Sequence, residues 1–464
     1  MRSGAVILLL ASAVLIAFRL HAFDLPLETD ECNYAYIAAR LLGGDRLYVD
    51  VWDHQPPGVF MLFGGAIALF GDAPLVFRLL SAAFSLASLL FVYAILRRIT
   101  GRSAALLGAM LFAIVSSDPG AGGEGCNREI FMNALLLAGW YFALRPTRGR
   151  DPQAAPLEKG GLSAKHPPLT KGGIGGSVIA GFAIAFATLL KTNVAVHWVF
   201  LAAWLAFDAA RSVERTKRVR RMVATLIAFS LGPILIWTGT FAYFAATDRL
   251  HEFLDAAFLF NLGYTDVREP FLMRFWRFFA PPRHPFIFES ALPLWLLSIP
   301  AAAWLLFRFA THRDKNSSAV FLLLAASYVA TCLPGRFWPH YYYLMIPAVV
   351  LTVSTALGSL AACAPPRGEP PANRQSTIAN RQLARPRLVL ALAALQPLIV
   401  GSVLYAEYRH YLSQPPLGIT LKRYNTRDFW GRAQGENVAR VTHPDDTVFV
   451  FGNDAEIYYY SDRR

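Results

Sequence analysis

The chain reads as a polytopic α-helical membrane protein. Three observations predict this. Of 464 residues, 55% are hydrophobic and 16% charged, where a soluble chain carries more charge. Apolar runs of about 15–24 residues recur along its length. The charges also segregate by loop, as set out below.

About eleven spans are expected against the usual need for roughly 20 apolar residues each. They fall at 5–20, 74–97, 103–118, 129–145, 177–190, 194–210, 222–245, 291–310, 318–333, 341–362 and 388–405. Lys191 interrupts the 177–210 pair. No small-x-small cleavage site follows 5–20, so this segment reads as a retained first helix.

With the N-terminus inside, Arg2, the 97–102 turn, the 145–176 loop, the 211–221 run, the 308–315 turn and the 363–387 loop are cytoplasmic. Those stretches hold more than half of the 44 Lys and Arg, while most of the 31 Asp and Glu lie opposite. This is a positive-inside pattern. The net charge of +13 therefore reports orientation. The Arg211–Arg221 run is a topology determinant touching anionic lipid, not a nucleic-acid site.

The first outer loop, 21–73, is too long for a turn. Residues 32–42 space their apolar groups as an amphipathic helix that Gly43-Gly44 ends. Residues 58–70 are apolar but too short to span, which suits an interfacial or re-entrant helix. Between them, Pro56-Pro57 forbids a continuous helix and forces a crossover. The 246–290 loop alternates aromatic and basic residues, as an interfacial helix does.

Residues 146–176 and 364–387 contain near-repeats, Pro156–Gly161 with Pro168–Gly173 and Ala372–Gln375 with Ala379–Gln382. Their composition builds no core, so both are expected to be disordered cytoplasmic insertions. The transmembrane module is thus 1–405. Residues 406–464 form an outer segment in which Thr447–Gly452 reads as a strand and Asp454–Tyr459 as the start of a helix, an α/β unit that looks incomplete. Of four cysteines, Cys32 and Cys126 fall in outer loops. An oxidising compartment permits a disulfide there, and free, partly buried thiols are the expectation.

Chemically capable residues gather on the outer face. Loop one offers Asp30, Glu31, Asp53 and His54, and loop two Glu124, Asn127, Arg128 and Glu129. Lys191 ends the fifth span, and Arg336, His340 and Tyr341–Tyr343 lie between the ninth and tenth. Singly, each has an ordinary reading. Asp30 caps a helix with Glu31 in its first turn, Glu129 opposes a helix dipole, Arg336 and Lys191 snorkel, and the tyrosines form an interfacial belt. Jointly, acids and cations on one face suit activation of a hydroxyl beside a phosphate leaving group. The opposite face has no phosphate-binding GxxxxGK[ST] loop, no dinucleotide-type glycine pattern and no zinc spacing. An activated substrate must then arrive through the lipid phase.

This ordered set resembles the polyprenyl-phosphate-dependent GT-C glycosyltransferases, which include protein O-mannosyltransferases, lipid A aminoarabinose transferases and lipopolysaccharide-core transferases. The matching elements are Asp30-Glu31-x-x-Tyr34 through Ala38, Gln55-Pro56-Pro57-Gly58, Leu69-Phe70-Gly71 with Arg78-Leu79, Glu129, Lys191, and Arg336 with His340-Tyr341 and Pro347. The resemblance implies Asp30 as base and Glu129 as second acid. It places Glu31, Tyr34, Gln55, Lys191, Arg336, His340 and Tyr341 around the substrate. His54 and Gln55 stand where related chains carry a metal-contacting Glu and a phosphate-binding Lys. Gln55 supplies no charge, so phosphate binding leans on Lys191 and Arg336, and a divalent metal at His54 is left open. The implied activity is inverting transfer of a sugar from a polyprenyl-phosphate donor to a lipid, glycan or protein hydroxyl. The site would face the periplasm or exterior of the cytoplasmic (inner) membrane, in contact with membrane lipids. The rival reading is a transporter or flippase of lipid-linked sugar. That reading wants polar residues along mid-membrane helices and two similar halves, and neither is found.

Overall fold

The computed structural model describes residues 2–144, 172–211, 215–265, 270–280, 288–362, 391, 394–415, 417–419, 421, 427–451 and 454–463. Among them the chain is helical, with no strand beyond an isolated bridge between Leu47 and Val51. Nearly all of the 146–176 insertion and the whole of 364–387 lie outside the described residues.

Among the described residues, each predicted span overlaps a helix. These are α1 (Arg2–Ala17), α4 (Pro74–Ile99), α5 (Arg102–Val115), α6 (Arg128–Ala143), α7 (Gly172–Leu190), α8 (Val196–Arg211), α9 (Arg218–Ala246), α13 (Leu292–His312), α14 (Lys315–Cys332), α15 (Met345–Ala362) and a last helix over 394–407. Among the described residues, six helical stretches are long and apolar enough to cross a membrane, and three more are apolar but shorter. The stretch Pro339–Leu360 is central and mostly buried, whereas Leu292–His312 is mostly uncovered and rims the bundle. Lipid tails are as apolar as leucine, so close helix approach rests on small residues. At the α7–α9 crossing a Cβ on Gly181 would lie 1.9 Å from Phe229 O, and one on Gly232 would lie 2.3 Å from Phe182 N.

The basic turns meet at one end. Arg98 Nη1 donates to Tyr141 O at 2.7 Å, Asn316 Nδ2 to Ile99 O at 3.1 Å, and Arg211 Nη1 to Arg313 O at 2.7 Å. The opposite, acidic end holds α2 (Thr29–Leu42), α3 (Gly58–Phe70) and the short helices α10 (Leu250–Leu254), α11 (Phe260–Tyr264) and α12 (Met273–Arg277).

α2 starts three residues earlier than its apolar spacing suggests. The cause is a capping box in which Glu28, not Asp30, is the N-cap and Glu31 occupies the third position, its Oε2 accepting from Glu28 N at 3.1 Å. Gly43 and the positive-φ Gly44 end the helix as expected. Pro57 precedes α3 as its N-cap. The expected strand at Thr447–Gly452 does not form over the described residues up to Phe451. A single strand has no ladder partner there, and its apolar side chains Phe449 and Phe451 are exposed. The helix after it does form, at Ala455–Ser461, and packs on Arg427–Val441 and on α2. Cys32, Cys126 and Cys332 are buried.

Candidate active site

The site grows from the first turn of α2. Consecutive helical residues point about 100° apart, so Asp30 and Glu31 part company. Glu31 is fully buried. Arg78 Nη1 lies 2.9 Å from its Oε2 and 3.0 Å from its Oε1, and Cys126 N donates to Oε1 at 2.5 Å. Glu31 thus clamps α2 to α4 and to the second loop, and it does not line the site. Asp30 keeps its side chain 46% exposed, with Oδ2 3.9 Å from His340 Nε2. The carboxylate therefore stays reachable.

Behind Asp30 stands a buried set of charges. Lys191, at the break between α7 and α8, places Nζ 3.0 Å from Glu129 Oε1 and 3.4 Å from the Tyr341 ring centroid. Glu129 is at the start of α6, and its Oε2 is buried without a hydrogen-bond partner among the described residues. Arg128 Nη1 donates to Tyr34 OH at 2.5 Å, and Arg128 Nε lies 3.7 Å from Glu129 Oε1. Tyr34 is held edge-on by Phe60 and Phe63. Burial pushes its hydroxyl well above the usual tyrosine range, so it stays protonated beside Arg128. Burial lowers Lys191 to about 8, a fall that the Glu129 carboxylate opposes. Asp30 interacts electrostatically with both Arg128 and Lys191.

Every residue from 111 to 134 is buried, including the glycine-rich second loop. Side-chain ties fasten it. His21 Nε2 lies 2.5 Å from Glu124 Oε2, Ser290 Oγ donates to Asp118 Oδ2 at 2.7 Å, and Arg19 Nη2 donates to Ser116 O at 2.6 Å. Asn127 Nδ2 bonds Glu28 Oε1 across to α2. These contacts fix the start of α6, and with it Arg128 and Glu129.

The crossover between α2 and α3 supplies a second wall. Asn33 Nδ2 donates to Asp53 Oδ2 at 2.6 Å, and Asp53 Oδ1 lies 3.0 Å from His54 Nδ1. His54 Nε2 is 2.6 Å from Gln55 Nε2, and Gln55 is buried. The His54 ring packs against Phe260 and Tyr264, and Asn261 Nδ2 donates to His54 O at 2.7 Å. A π turn at Asp255–Leu259 sets the angle of α11; such bulges often sit at functional sites. Both ring nitrogens of His54 are engaged, and no group of three His, Cys, Asp or Glu is placed to hold an ion among the described residues. Arg336 is occupied as well, with Nε and Nη2 donating to Tyr264 O at 3.1 and 2.7 Å.

The structure thus brings Asp30, Glu129, Lys191, His340, Tyr341 and, through Arg128, Tyr34 into one cluster. It puts Glu31 in the supporting wall and sets Arg336, His54 and Gln55 on the crossover side. Arg128 is the cation that sequence reasoning left out of the site. Its signal was its place beside Glu129 at a helix start.

Comparison with known proteins bears on the fold. The family model described as Dolichyl-phosphate-mannose-protein mannosyltransferase matches residues 54–154. No curated protein matches the sequence. Among solved structures, ArnT from Cupriavidus metallidurans bound to undecaprenyl phosphate superposes with a TM-score of 0.60 at 17% identity, over 98% of this chain and 84% of that one. ArnT in the apo state gives a TM-score of 0.58 at 18% identity, over 100% and 85%. The Archaeoglobus fulgidus oligosaccharyltransferase tethered with an acceptor peptide gives a TM-score of 0.54 at 16% identity, over 99% of this chain and 63% of that one. The chain is therefore a multi-pass membrane protein with the GT-C glycosyltransferase fold.

Proposed function

We propose that the protein is an inverting glycosyltransferase that moves a sugar from a polyprenyl-phosphate donor to an acceptor hydroxyl at the outer face of the cytoplasmic membrane. The observation that carries this reading is the pairing of a solvent-reachable carboxylate, Asp30, with the buried cations Lys191 and Arg128 behind it. The solved relatives add support, since one holds undecaprenyl phosphate and another an inhibitory peptide with a dolichol-phosphate.

Asp30 removes the proton of the acceptor hydroxyl. The oxygen forms a bond to the anomeric carbon as the bond to the phosphate oxygen breaks on the opposite face. The leaving lipid phosphate takes the electron pair and needs no acid to protonate it. Lys191 has N–H donors beyond the one given to Glu129, and its charge with that of Arg128 stabilises the phosphate as negative charge grows. Glu129 holds the ammonium in place, and Tyr341 covers it with an aromatic face. His340 stands 3.9 Å from the base and interacts electrostatically with Lys191 and Arg128.

The test is to incubate the purified protein with a panel of radiolabelled polyprenyl-phosphate sugars and candidate lipid, glycan and peptide acceptors, with and without a chelator. Label transferred with release of lipid phosphate supports the reading. Label moved across a vesicle bilayer on its original lipid, without transfer, overturns it in favour of a flippase.

A further inference from the structure

Among the described residues no hydrogen bond fixes the Asp30 carboxylate, so its position is set by the backbone of the first turn of α2. That turn is held from outside the membrane module. Thr29 Oγ1 donates to Glu456 Oε1 at 2.6 Å, and Leu27 N donates to Tyr460 OH at 2.8 Å. The Tyr36 and Tyr458 rings meet with centroids 5.6 Å apart, and Tyr459 OH bonds Asp72 O. Three residues of one short helix thus grip the segment around Asp30, and a fourth, Tyr459, ties the same helix to the turn before α4.

The grip is built into the tail. Glu456 is 1% exposed although it is a carboxylate on a short helix near the chain's end. It reaches this depth because Arg427–Val441 presents glycine on the contacting face. A Cβ on Gly431 would lie 2.7 Å from Glu456 Cβ, and one on Gly435 would lie 2.7 Å from Tyr460 Cβ. Arg463 Nη2 then donates to Ala439 O and Thr442 O, each at 3.0 Å, closing the far end of the pair. A buried carboxylate without polar partners is costly, so the hydroxyl of Thr29 has a defined role in this seat.

We propose that Glu456 is a positioning residue that sets the first turn of α2, and through it the Asp30 carboxylate, by accepting the Thr29 hydroxyl hydrogen bond. This rests on the transferase reading and extends it to the outer tail. Misplacement of a reacting group by about 1 Å from a remote mutation costs on the order of 10²-fold in rate.

The experiment uses the full chain with a polyprenyl-phosphate sugar that the wild type turns over. Glu456→Ala and Thr29→Val are each expected to lower kcat by about 10- to 100-fold with donor KM unchanged. The double variant should be no worse than Glu456→Ala, since Thr29→Val removes a bond that Glu456→Ala has already removed. Glu456→Gln keeps the acceptor oxygen and should restore kcat. Amide exchange at 32–35, the first hydrogen-bonded amides of α2, should quicken in Glu456→Ala and not in Glu456→Gln. Wild-type kcat and unchanged exchange in Glu456→Ala overturn the proposal, as does equal damage from Gln and Ala. Thr29→Val keeps the test open where Glu456→Ala fails to fold. If the wild type transfers no sugar, the transferase reading fails on its own, and exchange at 32–35 still decides whether the tail holds α2.

Discussion

Lys191 and Glu129 form a buried ion pair across a helix break, Nζ to Oε1 3.0 Å, with the ammonium 3.4 Å from the Tyr341 ring centroid. Removing one partner of such a pair strands a charge, which costs about 3–5 kcal/mol. Lys191→Met should therefore lower thermal stability in detergent by more than the double variant Lys191→Met/Glu129→Gln. Both should lose transfer. A double variant less stable than the single one would show that the pair is not the reason for the loss.

The lowered Lys191 makes a pH prediction with two signs. Its value in the fold is about 8, against 10.5 for an ordinary lysine. Between these values the unfolded chain binds more protons, so this group's contribution to stability rises with pH across that window. Transfer should move the other way, falling as pH rises through about 8 and the ammonium is lost. The stability slope should vanish in Lys191→Met. Melting curves and initial rates between pH 7 and 10 read both effects.

Asp30→Asn keeps the size of the side chain and removes the base, so transfer should fall by about 10²–10⁴ with donor binding unchanged. Glu31→Gln should behave differently. It leaves the buried Arg78 guanidinium without its counter-charge and should cost about 3–5 kcal/mol of stability. Wild-type turnover in Asp30→Asn would remove it from the mechanism.

Arg336→Ala should free Tyr264, whose carbonyl accepts two guanidinium N–H groups. The expected result is faster amide exchange over 260–264 and a raised donor KM, with a smaller change in kcat. Arg336→Lys should not restore protection, because an ammonium lacks the planar fork. Unchanged exchange in Arg336→Ala would disconnect it from this wall.

Orientation is tested in intact cells. A cysteine at Asp45 should react with an impermeant reagent, and one at Ser163 should not, because Lys and Arg mark the inner loops. The reverse labelling would invert the proposed topology. Replacing 151–173 with a shorter flexible segment should leave insertion and transfer intact.

Hydrophobic run length and loop charge made the helices legible from sequence alone, because a bilayer imposes one length and one composition on whatever crosses it. Asp30, Glu129, Lys191 and His340 were legible as a group, since loop order places them on one face. Which neighbour of a pair faces the site was not. Asp30 and Glu31 are alike in composition and differ only by helical phase, and that phase has meaning only once Arg78 and Cys126 stand on one side of α2. Nor could sequence show that Tyr264 O, 72 residues from Arg336, accepts two of its donors. The tail misled for the same reason. Thr447–Phe451 has the pattern of a strand, but a strand exists only through a partner's hydrogen bonds. The helix after it found its partner in α2, through a bond between Thr29 and Glu456 that spans 427 positions of the chain. Sequence determined what each segment must bury; tertiary structure decided which polar group meets which, because hydrogen bonds and ion pairs depend on distances that only the packed chain sets.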